Sequence, residues 1–267
     1  MHEISGILHP GVFCHCTYSH SLGSFPLPLC EARDLFSRSY IFYFEYMLSI
    51  LMAEVEPEVL ADVAYGIFEI VLNRELRAAG RPLFRLVEEQ VDFADDFARI
   101  FADFADEYPL LAGALLERSQ IPDAIYPMLC AGEGVVPTRT TQTYWIVLDA
   151  PQGLPDAVDD ELAGKWLIFL EKNQVDQAWL CVRDLTAEGA LGISAKVSTA
   201  KPNPDARDDR FVIYVYTPDW QDEGDVMRVR EELRSAGFVD RLGYKRNLET
   251  FRGEYSKKGK KVTYYSS

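Results

Sequence analysis

Two short β-type segments carry the side chains with the most specific chemistry in this chain. Ala195–Ala200 and Phe211–Tyr216 flank a loop rich in Pro, Asn and Asp. The first segment and the loop after it supply two ammonium groups and two hydroxyls: Lys196, Ser198, Thr199 and Lys201. Alternate residues of a strand point to the same side, so Lys196 and Ser198 share one face. An ammonium beside a hydroxyl suits a phosphate or nucleotide ligand, and an ordinary solvated strand face is the alternative.

Further candidate ligand-binding residues lie on the neighbouring predicted elements. Four of them are basic: Arg183, Arg228, Arg230 and Lys245. All four tryptophans of the chain also fall in this half, and Trp145 and Trp166 lie on predicted strands. An indole on a strand can stack against a nucleobase, and such stacking contributes about 1–3 kcal/mol per base. For each tryptophan, ordinary core packing is the alternative.

The elements that position these residues follow from the periodicity of the C-terminal half. Thr143–Leu148 and Lys165–Leu170 are predicted strands, and helices are predicted near Gln174–Glu188 and Glu223–Ala236. Three short β-type segments end the chain: Gly243–Arg246, Thr250–Tyr255 and Val262–Tyr265. The order β-β-α-β-β-α-β-β-β, with few crossover helices, predicts an α+β fold with a mainly antiparallel sheet.

The N-terminal half has a helical pattern from Pro57 to about Leu116. Apolar residues recur at three- and four-residue steps, and Gly80 offers a stop signal for the first helix. A second amphipathic stretch runs from Leu83 to Phe104, and Leu110–Leu116 predicts a short third helix. The aspartates among the phenylalanines are expected on the outer face of a packed helix. This region is expected to be an interaction or capping module.

Composition shifts divide the chain into four parts. Residues 1–46 are predicted to be a leader that is flexible or not native, since Met47 and Met52 are alternative starts. Residues 47–121 form the predicted helical module, residues 122–142 a Pro- and Gly-rich linker, and residues 143–267 the α+β domain.

The leader holds all four histidines and three of the five cysteines. Two imidazoles and two thiolates among these residues form one candidate ligand set for zinc: His9, Cys14, Cys16 and His20. The single residue between the two thiols is tight for two ligands of one tetrahedral ion, so no metal is expected.

The formal net charge of −15 limits the classes of partner that the protein can bind. It argues against generic binding to nucleic acid, because phosphates are repelled at long range. All nine lysines fall from Lys165 onward, which leaves room for a local basic pocket. No stretch reaches the ~18 apolar residues of a membrane span, and scattered cysteines do not form a disulfide pattern. An acidic, cytoplasmic protein is expected.

Several separated motifs of the C-terminal half resemble one family. They are Trp145, GKWLIFL (Gly164–Leu170), AKVSTAKPNP (Ala195–Pro204), VIYVYTPDW (Val212–Trp220), DVMRVREELRSAGF (Asp225–Phe238) and GYKR (Gly243–Arg246). Over residues 143–265 the chain resembles the basophilic leukaemia-expressed protein family. The resemblance implies a fold similar to the mRNA cap-binding initiation factor, a curved antiparallel sheet backed by helices. In that topology Lys196, Lys245 and the helix bearing Arg228 and Arg230 lie close together, so we expect their charges to converge on one ligand.

Members of this family are also labelled phosphothreonine lyase domains. β-Elimination of phosphate needs a base, an acid for the leaving group, and cations to bind the phosphate. Lys196 or Lys165 is a candidate base. The acid in phosphothreonine lyases is a histidine, and no histidine occurs after His20, so Tyr216 or Tyr244 would have to substitute. The missing histidine argues against a lyase.

The sequence therefore predicts a binding module for a small phosphorylated or nucleotide-type ligand, with Lys196 as its first residue. The alternatives are a lyase-like or other phosphate-handling enzyme, and a non-catalytic scaffold whose protein partners bind the helical module. No cofactor, metal, membrane or generic nucleic-acid partner is expected.

Overall fold

The computed structural model describes residues 57–119, 124–151, 161–204, 206, 208–248 and 263–267. The predicted leader with its histidine–cysteine cluster and the predicted strand Thr250–Tyr255 lie outside the described residues. Across the described part of the chain, no helix has the length and apolar character needed to cross a membrane. In the same part, no three His, Cys, Asp or Glu side chains are grouped so that they could hold a metal ion.

The N-terminal half is a layer of helices. They are α1 (Pro57–Ala78), α2 (Leu83–Glu88), α3 (Ala94–Glu107), α4 (Pro109–Ser119) and α5 (Ile125–Cys130). The stretch predicted as one amphipathic helix from Leu83 to Phe104 is thus two helices. Gln90, in the break between them, has a φ of 54°, a left-handed conformation that interrupts the helical path.

A cluster of phenylalanines joins α3 to α1. The ring of Phe68 in α1 lies 5.7 Å from that of Phe97 and 5.3 Å from those of Phe101 and Phe104, centroid to centroid. The three α3 rings recur at four- and three-residue steps, so they share one helix face while the aspartates lie on the other. Edge-to-face contacts of this kind add about 0.5–1.5 kcal/mol per pair to the burial of the rings.

The segment predicted to be a linker contributes to the helical core. Ile125, Leu129 and Val135 are each at most 3% exposed and belong to the same apolar cluster as α1 and α3. Glu133 is also buried, and its carboxylate accepts hydrogen bonds from the backbone N–H groups of Thr141 and Gln142. The segment then makes a single 3₁₀ turn over Pro137–Arg139 before the sheet begins.

The C-terminal half is a six-stranded sheet in the order β1-β3-β4-β2-β5-β6. The strands are β1 (Trp145–Asp149), β2 (Gly164–Leu170), β3 (Ser194–Ser198), β4 (Phe211–Thr217), β5 (Gly243–Arg246) and β6 (Tyr265–Ser266). Every neighbouring pair is antiparallel. This confirms the predicted α+β class with its antiparallel sheet and preceding helices.

Both helices of this half pack on one face of the sheet, as expected. Helices α6 (Lys172–Ala187) and α7 (Glu223–Ser235) share a core with one alternate set of strand side chains. We call this side the covered face; its central residues are Trp166, Ala195, Val197, Ile213, Val215 and Tyr244, all fully buried. We call the other side the open face, because neither α6 nor α7 packs on it. In β4 the two sets alternate strictly between buried and half-buried.

Candidate ligand-binding site

Three rows of side chains cross the open face, because residues paired between strands lie side by side. The cationic row consists of Asp149, Ser194, Tyr216, Lys165 and Lys245. The middle row consists of Val147, Lys196, Tyr214 and Leu167. The apolar row consists of Trp145, Ser198, Val212 and Phe169. Adjacent rows are two residues apart along each strand, which is roughly 6.7 Å.

Lys196 lies at the centre of this face and is surrounded by aromatic rings. Its ammonium nitrogen is 4.6 Å from the ring centroid of Trp145 and 5.6 Å from those of Tyr214 and Tyr216. The residue is only 7% exposed, whereas the three rings are half-buried. The rings of Trp145 and Tyr214 also lie against each other, with their centroids 5.2 Å apart.

Lys165 brings a second ammonium group to the same tyrosines. Its nitrogen is 5.3 Å from the ring centroid of Tyr214 and 5.1 Å from that of Tyr216. It also donates a 3.0 Å hydrogen bond to the side-chain oxygen of Asn247, just after β5. Lys245 is its cross-strand neighbour in the cationic row. Three lysines therefore share one side of the sheet in a strongly acidic protein.

The partners of Lys196 are unusual for a buried cation. Among the residues that the structure describes, no hydrogen bond or ion pair reaches its ammonium group; only the three rings do. A cation above an aromatic ring gains about 0.5–2 kcal/mol. Burying an ammonium group costs several kcal/mol unless it is paired. The face is thus electrostatically complementary to an anion.

The other residues of the opening motif are engaged in the fold. The hydroxyl of Ser198 accepts a 2.9 Å hydrogen bond from the backbone N–H of Val212. Thr199 donates its hydroxyl proton to the carbonyl of Thr143. The Lys201 ammonium binds the carboxylate of Asp62 in α1 at 2.8 Å and the carbonyl of Gln142 at 2.8 Å. Lys201 therefore ties the helical layer to the sheet.

The three arginines of the predicted site do not converge with Lys196, because their helices lie on the covered face. Arg183 makes a two-pronged ion pair with Glu88 of α2 at 2.6 and 3.0 Å. Arg228 binds Asp225 and the carbonyls of Ala190 and Leu191. Each of these guanidinium groups stabilises a contact between elements.

Arg230 is a second structural cation, buried to 0% exposure. It donates to the backbone oxygens of Ser267, Phe238 and Asp240 at 2.7–3.1 Å. Burial lowers the pKa of its guanidinium from the ordinary value. The expected convergence of Lys196 with Arg228 and Arg230 is therefore corrected, because the sheet lies between them.

The two candidate tryptophans lie on opposite faces. Trp145 is on the open face, where the indole is in reach of a ligand. Trp166 is at 0% exposure in the core, and its indole nitrogen donates a 3.1 Å hydrogen bond to the carbonyl of Val226 in α7. Trp166 is thus a core aromatic and not the wall of a slot. Trp166 pairs with Val215 and Tyr244 on the neighbouring strands, and because both lie on the covered face, the indole does too.

The two tyrosines considered as general acids are also separated. Tyr216 is on the open face between the two lysines. Tyr244 is fully buried on the covered face, hydrogen-bonded to the hydroxyl of Thr217 at 2.6 Å, and burial raises its pKa. Its ring lies over Gly164, where a Cβ atom would meet the Tyr244 hydroxyl at 2.2 Å. Tyr244 is therefore placed for packing.

The ligand-binding set predicted from the sequence omitted four residues of the open face: Lys165, Tyr214, Tyr216 and Asn247. Lys165 and Tyr216 were considered only as the base and the acid of a lyase. A signal for the tyrosines was present in VIYVYT (Val212–Thr217), where they alternate with Ile213 and Val215. Residues two apart on a strand share a face, so this alternation indicates an aromatic face opposite an aliphatic one. Asn247 carries no such signal, because its position depends on how β5 pairs with β2.

Comparison with known proteins agrees with the family indicated by the motifs. A family model described as "Basophilic leukemia-expressed protein Bles03" matches residues 159–248. Among solved structures, the chain is similar to C. elegans eIF4E-3 in complex with the 4E-binding protein Mextli and a cap analog. That alignment has 16% identity and a TM-score of 0.31, covering 39% of this chain and 62% of that one. The chain thus spans less than two thirds of the C. elegans protein.

Two further similarities have the same character. Schistosome eIF4E complexed with m7GpppA and 4E-BP aligns with 16% identity and a TM-score of 0.36, covering 47% of this chain and 72% of that one. Ascaris suum eIF4E-3 with the m2,2,7G cap aligns with 15% identity and a TM-score of 0.31, covering 45% of this chain and 67% of that one.

Proposed function

We propose that the open face binds a small phosphorylated or nucleotide-type ligand. Lys196 and Lys165 supply the cations for the phosphate, and Trp145, Tyr214 and Tyr216 supply the aromatic surface. The observation that carries the proposal is that Lys196 is only 7% exposed and that its ammonium group lies against three rings. No hydrogen-bonding partner for it lies in the described part of the chain.

The energetics favour an anionic ligand at this position. A charge-assisted hydrogen bond from an ammonium group to a phosphate is typically worth about 1.5–3 kcal/mol, more than the rings alone provide. The second ammonium group, on Lys165, raises the local positive potential. Because the whole protein has a charge of −15, this local potential selects small anions and not a nucleic-acid polymer.

Calorimetric titration tests this proposal with three compounds: inorganic phosphate, GMP and phosphothreonine. Each is titrated into the wild-type protein and into Lys196→Met. Methionine is chosen because it keeps the packing of the buried stem among the rings, whereas alanine would leave a cavity. We expect the wild type to bind at least one compound, and Lys196→Met to bind it ten- to a hundredfold more weakly.

Lys201→Met is the matched control, because the ammonium group of this lysine is already paired within the fold, with Asp62 and the carbonyl of Gln142. It should leave ligand affinity unchanged. Binding of none of the three compounds, or equal binding by wild type and Lys196→Met, would refute the proposal. Release of inorganic phosphate from phosphothreonine would instead support the alternative of a phosphate-handling enzyme, and an unsaturated product of β-elimination, not threonine, would identify it as a lyase.

A further inference from the structure

The open face has a polarity along its strands. Its cationic row and its apolar row lie at opposite ends, four residues or about 13 Å apart. At the cationic end are Lys165 and Lys245; at the apolar end are Trp145 and Phe169, the latter 51% exposed. A ligand with a phosphate at one end and a planar base at the other matches this length and polarity. Its base would lie at the Trp145 end.

The aromatic surface at that end already holds a cation. The Lys196 ammonium is 4.6 Å from the Trp145 ring and 5.6 Å from the Tyr214 ring. The Lys165 ammonium is 5.3 Å from the Tyr214 ring. A base stacked on either ring would therefore have an ammonium group within about 8–9 Å, since stacked rings are separated by little more than an atomic contact.

An aromatic ring in isolation attracts a cationic base through its quadrupole. On this face the rings already attract two ammonium groups, those of Lys196 and Lys165. A positive charge on the base would be repelled by both ammonium groups. At this distance one such repulsion corresponds to about twofold in affinity at the dielectric constant of bulk water, and to about twenty- to thirtyfold at that of a protein surface.

We infer that the site selects nucleotides with an uncharged base and discriminates against those with a cationic base. The inference rests on the proposed function and goes beyond it, because it specifies the ligand by the charge of its base. Lys196 is the residue that determines this specificity.

GMP and 7-methyl-GMP form the matched pair of ligands that tests the inference. They share the sugar, the phosphate and the ring, and differ by a methyl group and a positive charge on the base. Both are titrated calorimetrically at a pH low enough to keep the methylated base cationic. We expect the wild type to bind GMP about tenfold more tightly than 7-methyl-GMP.

Lys196→Met and Lys201→Met show whether Lys196 causes the discrimination between GMP and 7-methyl-GMP. In Lys196→Met, which lacks the nearer ammonium group, both nucleotides bind more weakly and the ratio between them falls to about threefold or less. In Lys201→Met the wild-type ratio is retained. This result would support Lys196 as the origin of the selectivity and exclude a clash with the methyl group, which would persist in Lys196→Met.

Each negative result identifies whether the selectivity, the assignment to Lys196 or the proposed function is wrong. If the wild type binds 7-methyl-GMP as tightly as GMP or more tightly, the selectivity inference is overturned while the proposed function stands. If the ratio is unchanged in Lys196→Met, the assignment to Lys196 is overturned. If neither nucleotide binds, the nucleotide-type function fails and the inference fails with it.

Discussion

Two buried cations on opposite faces of the same sheet differ in their partners. Arg230, under the covered face, donates hydrogen bonds to the backbone oxygens of Ser267, Phe238 and Asp240. Lys196, on the open face, contacts aromatic rings, and within the described residues it has no hydrogen-bond acceptor. Both are at most 7% exposed. Burial alone therefore does not distinguish the structural role of Arg230 from the ligand-binding role that we propose for Lys196.

The number of hydrogen-bond acceptors around a buried cation indicates whether the cation stabilises the fold or is available to a ligand. A buried cation with acceptors in its own fold stabilises that fold, because its removal leaves those acceptors unpaired. A buried cation with only rings around it is incompletely compensated, and an anion from outside completes it. Substitutions at matched positions on the two faces test this distinction.

The largest expected effect belongs to Arg230→Met. The substitution removes three hydrogen bonds that a fully buried guanidinium donates to backbone oxygens, so we expect the free energy of unfolding to fall by about 3 kcal/mol or more. Urea denaturation measures this loss. GMP affinity of the folded protein should be unchanged, because the sheet separates Arg230 from the open face. A loss below about 1 kcal/mol would remove the contrast between the faces.

A smaller effect is expected for Lys201→Met, which breaks the link to Asp62 between sheet and helical layer. The side chain of Lys201 is 13% exposed and that of Asp62 is 34% exposed, so solvent screens the ion pair only partly. We expect the free energy of unfolding to fall by about 1–2 kcal/mol, measured in the same urea titrations. If the free energy of unfolding does not change, the ion pair between Lys201 and Asp62 does not stabilise the fold.

Tyr126 provides the next test, since its partner is also within the fold. Its hydroxyl donates a 2.5 Å hydrogen bond to Asp92 and accepts one from the backbone N–H of Phe93. Burial, and then the Asp92 carboxylate, raise the pKa of Tyr126 to about 12. The raised pKa means that this contribution to stability is present below pH 10 and is lost as the pH rises from 10 to 12.

The difference between the ultraviolet titrations of wild type and Tyr126→Phe isolates this single phenol. We expect tyrosinate from Tyr126 to appear near pH 12 in the wild type and at lower pH in Asp92→Asn, where the carboxylate is replaced by a neutral amide. Tyrosinate formation near pH 10 in both proteins would be inconsistent with the hydrogen bond.

Most of the sheet was predictable because its strands have clear period-two patterns. β3 and β4 lie within two residues of the predicted segments, and Lys196 and Ser198 share a face as predicted. The two helices were predictable from their apolar faces, and they pack on the same side as expected. The break between Glu88 and Ala94 was not predictable, because apolar residues recur on both sides of it and its five residues include no Gly or Pro. One of them, Gln90, has a left-handed φ that nothing in the spacing indicates.

The site was predictable only where a strand pattern fixed the face. The strand face that carries Lys196 and Ser198 was identified in this way, whereas Arg183, Arg228 and Arg230 were grouped with Lys196 on charge alone. A helical arginine can reach backbone oxygens in loops and neighbouring strands, and those partners exist only in the folded chain. The enclosure of Lys196 by rings likewise depends on the register of β1 and β4 with β3, which the sequence does not specify.

The proposed role of Lys196 predicts how the free energy of unfolding of wild type and of Lys196→Met changes as the GMP concentration rises. Without ligand the two should differ by no more than about 1 kcal/mol, because the lost cation–π contacts and the relieved burial of the charge offset each other. With GMP at a hundredfold its Kd the wild type should gain about 2.7 kcal/mol, while Lys196→Met gains much less. Equal gains in the two proteins, or a large loss in Lys196→Met without ligand, would contradict the account.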